Sequence, residues 1–187
     1  MIVLGFILTL NFSHAQDVPA KSLHWKFVRE SLDDRWDGEV WFSVGKERVE
    51  NRYSSGVTET IIVADGKTYR WRTKDGKIES ATVTDASHTL TVSIFKRLAK
   101  AKAEGKRVGN ETVDGVACEK WSWFHPVYVQ TYLWLTKDSP LPIKQTDTAP
   151  GVATDKPDTM TETIRDLEVD KPVDPARFVP PKEITFR

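Results

Sequence analysis

The stretch Gly109–Lys144, GNETVDGVACEKWSWFHPVYVQTYLWLTKDSPLPIK, decides how this chain folds. It contains two aromatic-rich runs, Cys118–Phe124 and Tyr128–Leu135, set off by turn signals at Asp114-Gly115, His125-Pro126 and Lys137-Asp138-Ser139-Pro140. Short aromatic and β-branched runs between such turns predict adjacent antiparallel strands. Side chains alternate along a strand, so Tyr128, Gln130, Tyr132 and Trp134 share one face of the second run, and Val129, Thr131, Leu133 and Leu135 share the other. Neither set suits open water. A strand covered on both sides belongs in the middle of a curved sheet, with a helix, a second layer or a ligand cavity over the aromatic side.

Upstream, the pattern is a β-meander. Val40, Phe42 and Val44 alternate with Glu39, Trp41 and Ser43, and a turn at Gly45-Lys46 leads into a strand ending at Tyr53. Val57–Ala64 is followed by Asp65-Gly66, whose residue types accept the positive φ of a two-residue hairpin loop. That register sets Ile62 opposite Tyr69 and Thr60 opposite Trp71, with the aromatics on one face. Asp75-Gly76 marks the next hairpin, between Lys67–Thr73 and Lys77–Val83. The one helix is expected from Ser93, as N-cap, to Gly105, with Ile94, Leu98 and Ala101 inward and Lys96, Arg97, Lys100 and Lys102 on the other face. A basic face of this kind is either solvated or a contact for an anionic membrane surface or an envelope protein. Downstream, Ile143–Thr148 and Met160–Leu167 read as strands, and the proline-rich tail 170–181 as an extended segment that cannot join a sheet centrally.

The 187 residues carry 27 acidic and 27 basic side chains. That balance argues against nucleic acid as a partner, because phosphate binding needs an excess of cations. An apolar run, Ile2–Leu10, precedes Ser13-His14-Ala15, which predicts a secretory signal peptide over 1–15 cut after Ala15, and one mature domain over 16–187. Cys118 is the only cysteine, so no intramolecular disulfide forms, and its place in a strand reads as a small buried hydrophobe. An exported chain without disulfides fits a bacterial periplasm.

Three segments resemble the outer-membrane lipoprotein-sorting family, the periplasmic carriers that include LolA and LolB. They are Gly109–Val116 ahead of a strand, the run Tyr132–Ile143 with its tryptophan and proline-headed return, and the closing Thr163–Leu167 followed by Asp174–Pro181. The resemblance implies an incomplete, strongly curved antiparallel β-barrel with one or a few helices across its open face. It also implies an apolar cavity for the acyl chains of lipids or lipidated proteins, with no cofactor, no metal and no reaction.

No catalytic motif is present, and the histidines have no spacing that gathers two of them as metal ligands. The acidic group Asp33, Asp34 and Asp37 departs from a calcium loop at Arg35 and Val44 and reads as a turn. The candidate ligand-binding residues are therefore aromatic: Trp41, Tyr69, Trp71, Trp121, Trp123, Tyr132 and Trp134. Each can equally be core packing. The expected function is a non-enzymatic carrier or sensor of a hydrophobic ligand. The alternative is a protein- or polysaccharide-binding envelope module with the same fold and a filled interior.

Overall fold

In the computed structural model, which describes residues 20–86, 89–125, 129–150 and 157–187, each run read as a strand forms one. The signal segment, the cut after Ala15 and Tyr128 lie outside the described residues. Strands β1 (Ser22–Glu30), β2 (Arg35–Ser43), β3 (Lys46–Tyr53), β4 (Val57–Ala64), β5 (Lys67–Lys74) and β6 (Lys77–Asp85) form one meander. Helix α1 (Leu90–Glu104) leads to a second, comprising β7 (Lys106–Val113), β8 (Val116–His125), β9 (Val129–Leu135), β10 (Lys144–Ala149) and β11 (Asp158–Val169). Pairing of β1 with β11 fuses them into one antiparallel sheet, ordered β6-β5-β4-β3-β2-β1-β11-β10-β9-β8-β7.

The Asp-Gly pairs make the hairpins. Asp65, Asp75 and Asp114 sit at φ 51°, 50° and 47°, each followed by a glycine at φ 74°, 72° and 82°. Two consecutive positive φ values twist a tight loop in the same sense as the strands it joins. Thr60 faces Trp71 and Ile62 faces Tyr69, as the sequence predicts. The first hairpin turns one residue earlier than expected, at Val44-Gly45, and Ser43 pairs with Lys46. Strand β7 was not legible: it is mostly exposed, polar and edge-placed, so it carries no alternating apolar pattern.

The helix begins earlier than its apolar spacing implies. The N-cap is Thr89, not Ser93, and the Thr89 hydroxyl accepts the Val92 N–H at 3.2 Å. Glu47 of β3, 1% exposed, accepts the N–H groups of Leu90 and Thr91 at 2.8 and 2.7 Å and the Thr91 hydroxyl as well. A carboxylate there satisfies donors that the first helical turn leaves unpaired, and it faces the positive end of the helix dipole. At the other end, Gly105 donates to Ala101 at 2.7 Å.

These anchors force the sheet to curl. Phe95 packs with Trp25, Phe27, Phe42, Leu141 and Ile164, whereas Leu98 and Ala101 pack on Trp123, Leu133 and Leu135. From Leu90, held at β3, to Ala101, on β8 and β9, the helix axis advances about 16 Å at 1.5 Å per residue. In a flat sheet β3 and β8 would lie roughly 29 Å apart, six strand spacings. The sheet closes the difference by bending around α1 into an open half-barrel with two free edges, β6 and β7. Close approach at the bend needs Gly38, where a Cβ would fall on the Phe27 ring and the Glu50 carbonyl.

The tail crosses the outer face. Asp174 caps a 3-10 turn, Pro175–Phe178, by accepting the Ala176 N–H at 2.9 Å. Phe178 is buried there, and Phe186 stands edge-on to Tyr69 and Trp71 at centroid distances of 5.3 and 6.0 Å. The Arg187 backbone then pairs with Ala81 and Val83 on the free side of β6.

The contacts of Glu47 and of Phe186 can each be tested by substitution. Glu47→Ala leaves two buried N–H groups and a hydroxyl without an acceptor, a loss of about 3 kcal/mol. By the usual scaling for a chain of this size that lowers Tm by roughly 10 °C, read by circular dichroism. Burial pushes the Glu47 carboxyl above its usual 4.5, outweighing its three donors. Its contribution to stability is therefore complete below 4.5 and is lost as pH rises through the folded-state value. Urea titrations should show the stability difference between wild type and the non-titrating Glu47→Gln widest in acid and narrowing as pH rises. Separately, Phe186→Ala uncovers Trp71 without breaking the sheet, giving a red-shifted tryptophan emission, easier acrylamide quenching and an unchanged far-ultraviolet spectrum.

Candidate functional site

The seven aromatic residues singled out in the sequence divide between the two faces of the sheet. Directly opposed residues of an antiparallel pair share a face. Trp121 opposes Leu133 and Trp123 opposes Thr131, so both tryptophans point to the helix side. Tyr132 opposes Ser122 and Trp134 opposes Lys120, so these two point outward. Trp41, opposite His24 and Arg48, and the pair Tyr69 and Trp71 also lie on the outer face. The two aromatic pairs of the organising stretch are thus brought to opposite sides.

On the outer face the aromatics are already occupied. Trp41 stacks on His24 at 5.4 Å, and Arg177 of the tail lies 4.4 Å from its ring. His24 in turn meets Glu39 at 2.7 Å and Glu168 at 3.2 Å. Tyr69 and Trp71 carry Phe186. Trp134, 6% exposed, has Lys120 and Lys144 over its ring at 4.8 and 5.0 Å and donates its indole N–H to Glu111 at 2.7 Å. Hydrogen bonds from Lys120 and Trp134 hold the Glu111 carboxyl below its ordinary range. Cation–π contacts and covered rings leave little free stacking surface here.

The helix side is packed in its middle and open at one end. Under α1, a void of about 140 Å³ remains between Arg29, Ile94, Arg97, Gln145, Asp147 and Glu162. Its polar groups satisfy one another: Asp147 accepts from Thr131 and Gln145, each at 2.6 Å, and from Arg97 at 3.2 Å, and Arg29 pairs with Glu162. Toward the C-terminal half of α1 a cleft of about 730 Å³ opens. Ala117, Trp121 and Leu135 line it, with Lys102, Glu119 and Lys137 at its edge. Arg107 lies 3.1 Å from Glu119, and the Trp121 indole N–H donates to the same carboxylate at 3.3 Å, which fixes the ring over the cleft. The sequence pointed to Trp121, and to Lys102 only as part of the basic helix face, but not to Leu135 or Lys137 as site residues, because only the fold brings helix and loop together. Of the basic helix residues, Arg97 reaches Asp147 at 3.2 Å and Lys100 lies 5.8 Å from the Trp123 ring.

Burial pushes the Cys118 thiol up, away from the thiolate that reacts. Among the described residues no three His, Cys, Asp or Glu side chains converge as a metal site. Of the acidic group read as a turn, Asp33 and Asp34 lie in the turn between β1 and β2, where the Ser31 N–H donates to the Asp34 carbonyl at 2.8 Å, whereas Asp37 lies in β2 and pairs with Arg52 at 2.6 Å.

Comparison with known proteins supplies the fold. No protein-family model matches the sequence, and no curated protein does. Solved structures do match. A conserved protein of Thermus thermophilus has a TM-score of 0.61 at 7% identity, over 91% of each chain. The Pseudomonas aeruginosa MucA/MucB complex matches at 0.55 and 15% identity, over 93% of this chain and 60% of the matched one, so this chain spans about three fifths of that protein's length. The Mycobacterium tuberculosis lipoprotein LppX matches at 0.50 and 10% identity, over 86% of this chain and 93% of LppX. The likeness to these structures is one of fold: the open antiparallel sheet curled around α1 is a LolA/LolB-like half-barrel.

Proposed function

We propose that the chain is a non-enzymatic binding protein of the bacterial envelope that holds an amphipathic anion, an acyl chain with an acidic head, in the cleft beside the C-terminal half of α1. One observation carries this reading: an apolar floor of Ala117, Trp121 and Leu135 lies under a rim bearing Lys102 and Lys137. The cleft's 730 Å³ falls within the roughly 300–1,000 Å³ of ligand sites, whereas the 140 Å³ void under the helix is too small for an acyl chain. Eight buried methylenes would contribute about 6 kcal/mol before the cost of association. Micromolar affinity needs about 8 kcal/mol, so the lysines must take part through the head group. The apolar leader before Ala15, and a lipoprotein among the fold relatives, support export.

The filled interior favours a second reading, a protein-binding module of the same fold, and a complex with a partner protein is among the matched structures. Binding of a fluorescent sixteen-carbon fatty acid separates the two. The acyl reading expects saturable binding with tryptophan quenching, weakened about tenfold by Trp121→Ala or by Lys102→Glu combined with Lys137→Glu, and unchanged by Trp41→Ala. Absence of binding, or sensitivity to Trp41→Ala alone, contradicts it.

A further inference from the structure

The two meanders are not the same length everywhere, and the mismatch leaves a notch in the sheet. Strand β9 stops at Leu135, opposite Glu119, while the β7–β8 hairpin runs on to its turn at Asp114-Gly115. Strand β10 starts at Lys144, opposite Thr163, while β11 runs on to Val169. Over Val116–Cys118, therefore, β8 has a strand partner on the β7 side alone. Over Arg165–Val169, β11 meets β1 alone among the described residues, through Arg165, Glu168 and Val169, with a bulge at Asp166 and Leu167 where Asp166 has φ 52°. These two half-paired edges face each other across a cleft of about 620 Å³. In an unbroken sheet β8 and β11 would stand roughly 14 Å apart, three spacings, and the 136–143 loop spans the gap.

The lining of the notch states what fits it. Val113, Val116, Ile143, Leu167 and Val169 form an apolar wall, with Val116 43% and Val169 41% exposed. Asp114, Asp138 and Asp166 stand around it; Arg165 lies 3.5 Å from Asp114 on the opposite side, and Lys26 of β1 lies 2.9 Å from Asp166. Elsewhere this chain closes a free edge with its own extended backbone, where Arg187 pairs with Ala81 and Val83 of β6. No described segment does so at the notch. An exposed strand edge offers unpaired N–H and C=O groups to another strand, and alternate side chains of that strand select it.

We infer that the notch between β8 and β11 receives an extended segment of a partner protein in which apolar and basic residues alternate. The segment pairs with the β11 edge, seats its apolar side chains on the valines and Leu167, and presents its basic ones toward Asp138 and the aspartates beside it. The notch adjoins the acyl cleft at Thr136, but none of the residues that seat the segment lines that cleft, and the inference does not depend on it.

A labelled peptide alternating lysine and valine, six residues long, tests the inference by fluorescence anisotropy against the whole chain. Binding should weaken at least about tenfold with Val169→Lys and with Val116→Lys, both partly exposed positions where the fold tolerates the change. N-methylation of alternate peptide nitrogens should abolish it, because pairing to an edge needs those N–H groups, and Trp121→Ala should leave it unchanged. No binding overturns the inference. So does binding that survives N-methylation, which would be attraction of charge alone, or that ignores both valine substitutions.

Discussion

The carboxylate of Glu47 at the first turn of α1 is the contact on which the rest depends. It is an acid from the middle of the first meander, buried almost completely, holding the start of a helix that arrives more than forty residues later. Burying its charged form costs more solvation than its two backbone donors and one hydroxyl return, which is why its pKa rises. That arrangement fixes one end of α1 to β3, while Leu98 and Ala101 fix the other to β8 and β9. With both ends held closer together than a flat sheet allows, curvature follows from packing.

Curvature in turn decides where a ligand can go. Large side chains from β1, β2, α1 and the β9–β10 loop fill the concave side beneath the helix, and Asp147 there accepts from Thr131, Gln145 and Arg97. A half-barrel packed in this way is not an empty container. The free volume lies at the end where α1 leaves the sheet, and there Trp121 is held in place by Glu119 while two lysines reach the rim. The outer face, meanwhile, is covered over β2 to β6 by the chain's own tail and carries Trp134 clamped by two lysines.

The hairpins were legible because Asp-Gly is a local signal: the residues that adopt positive φ sit at the turn itself. The strand runs were legible by alternation, and the family resemblance pointed to the right half-barrel. The start of α1 was not legible, because Leu90, Thr91 and Val92 look like strand residues and what makes them helical is Thr89 together with a distant Glu47. Phe95, the helix's main anchor in the core, was missed for the same reason. The division of the aromatics was hidden in register. Trp121 opposes Leu133, and Trp123 opposes Thr131, so odd-numbered residues face odd-numbered ones across β8 and β9. A connection one residue shorter or longer would have placed Trp121, Trp123, Tyr132 and Trp134 on one face. Strand β7 and the closing role of Phe186 depended on neighbours far along the chain and left no local pattern.

The tryptophan indoles can report directly on which face binds. With nitrogen-15 labelling, the seven tryptophans give separate N–H resonances, assigned by substitution. On titration with a sixteen-carbon fatty acid, the Trp121 resonance should move progressively and saturate, while those of Trp41 and Trp71 stay in place. Movement of Trp41 or Trp71 with Trp121 fixed would put the ligand on the outer face, and no movement at all would leave the half-barrel without an acyl site; either result contradicts the account.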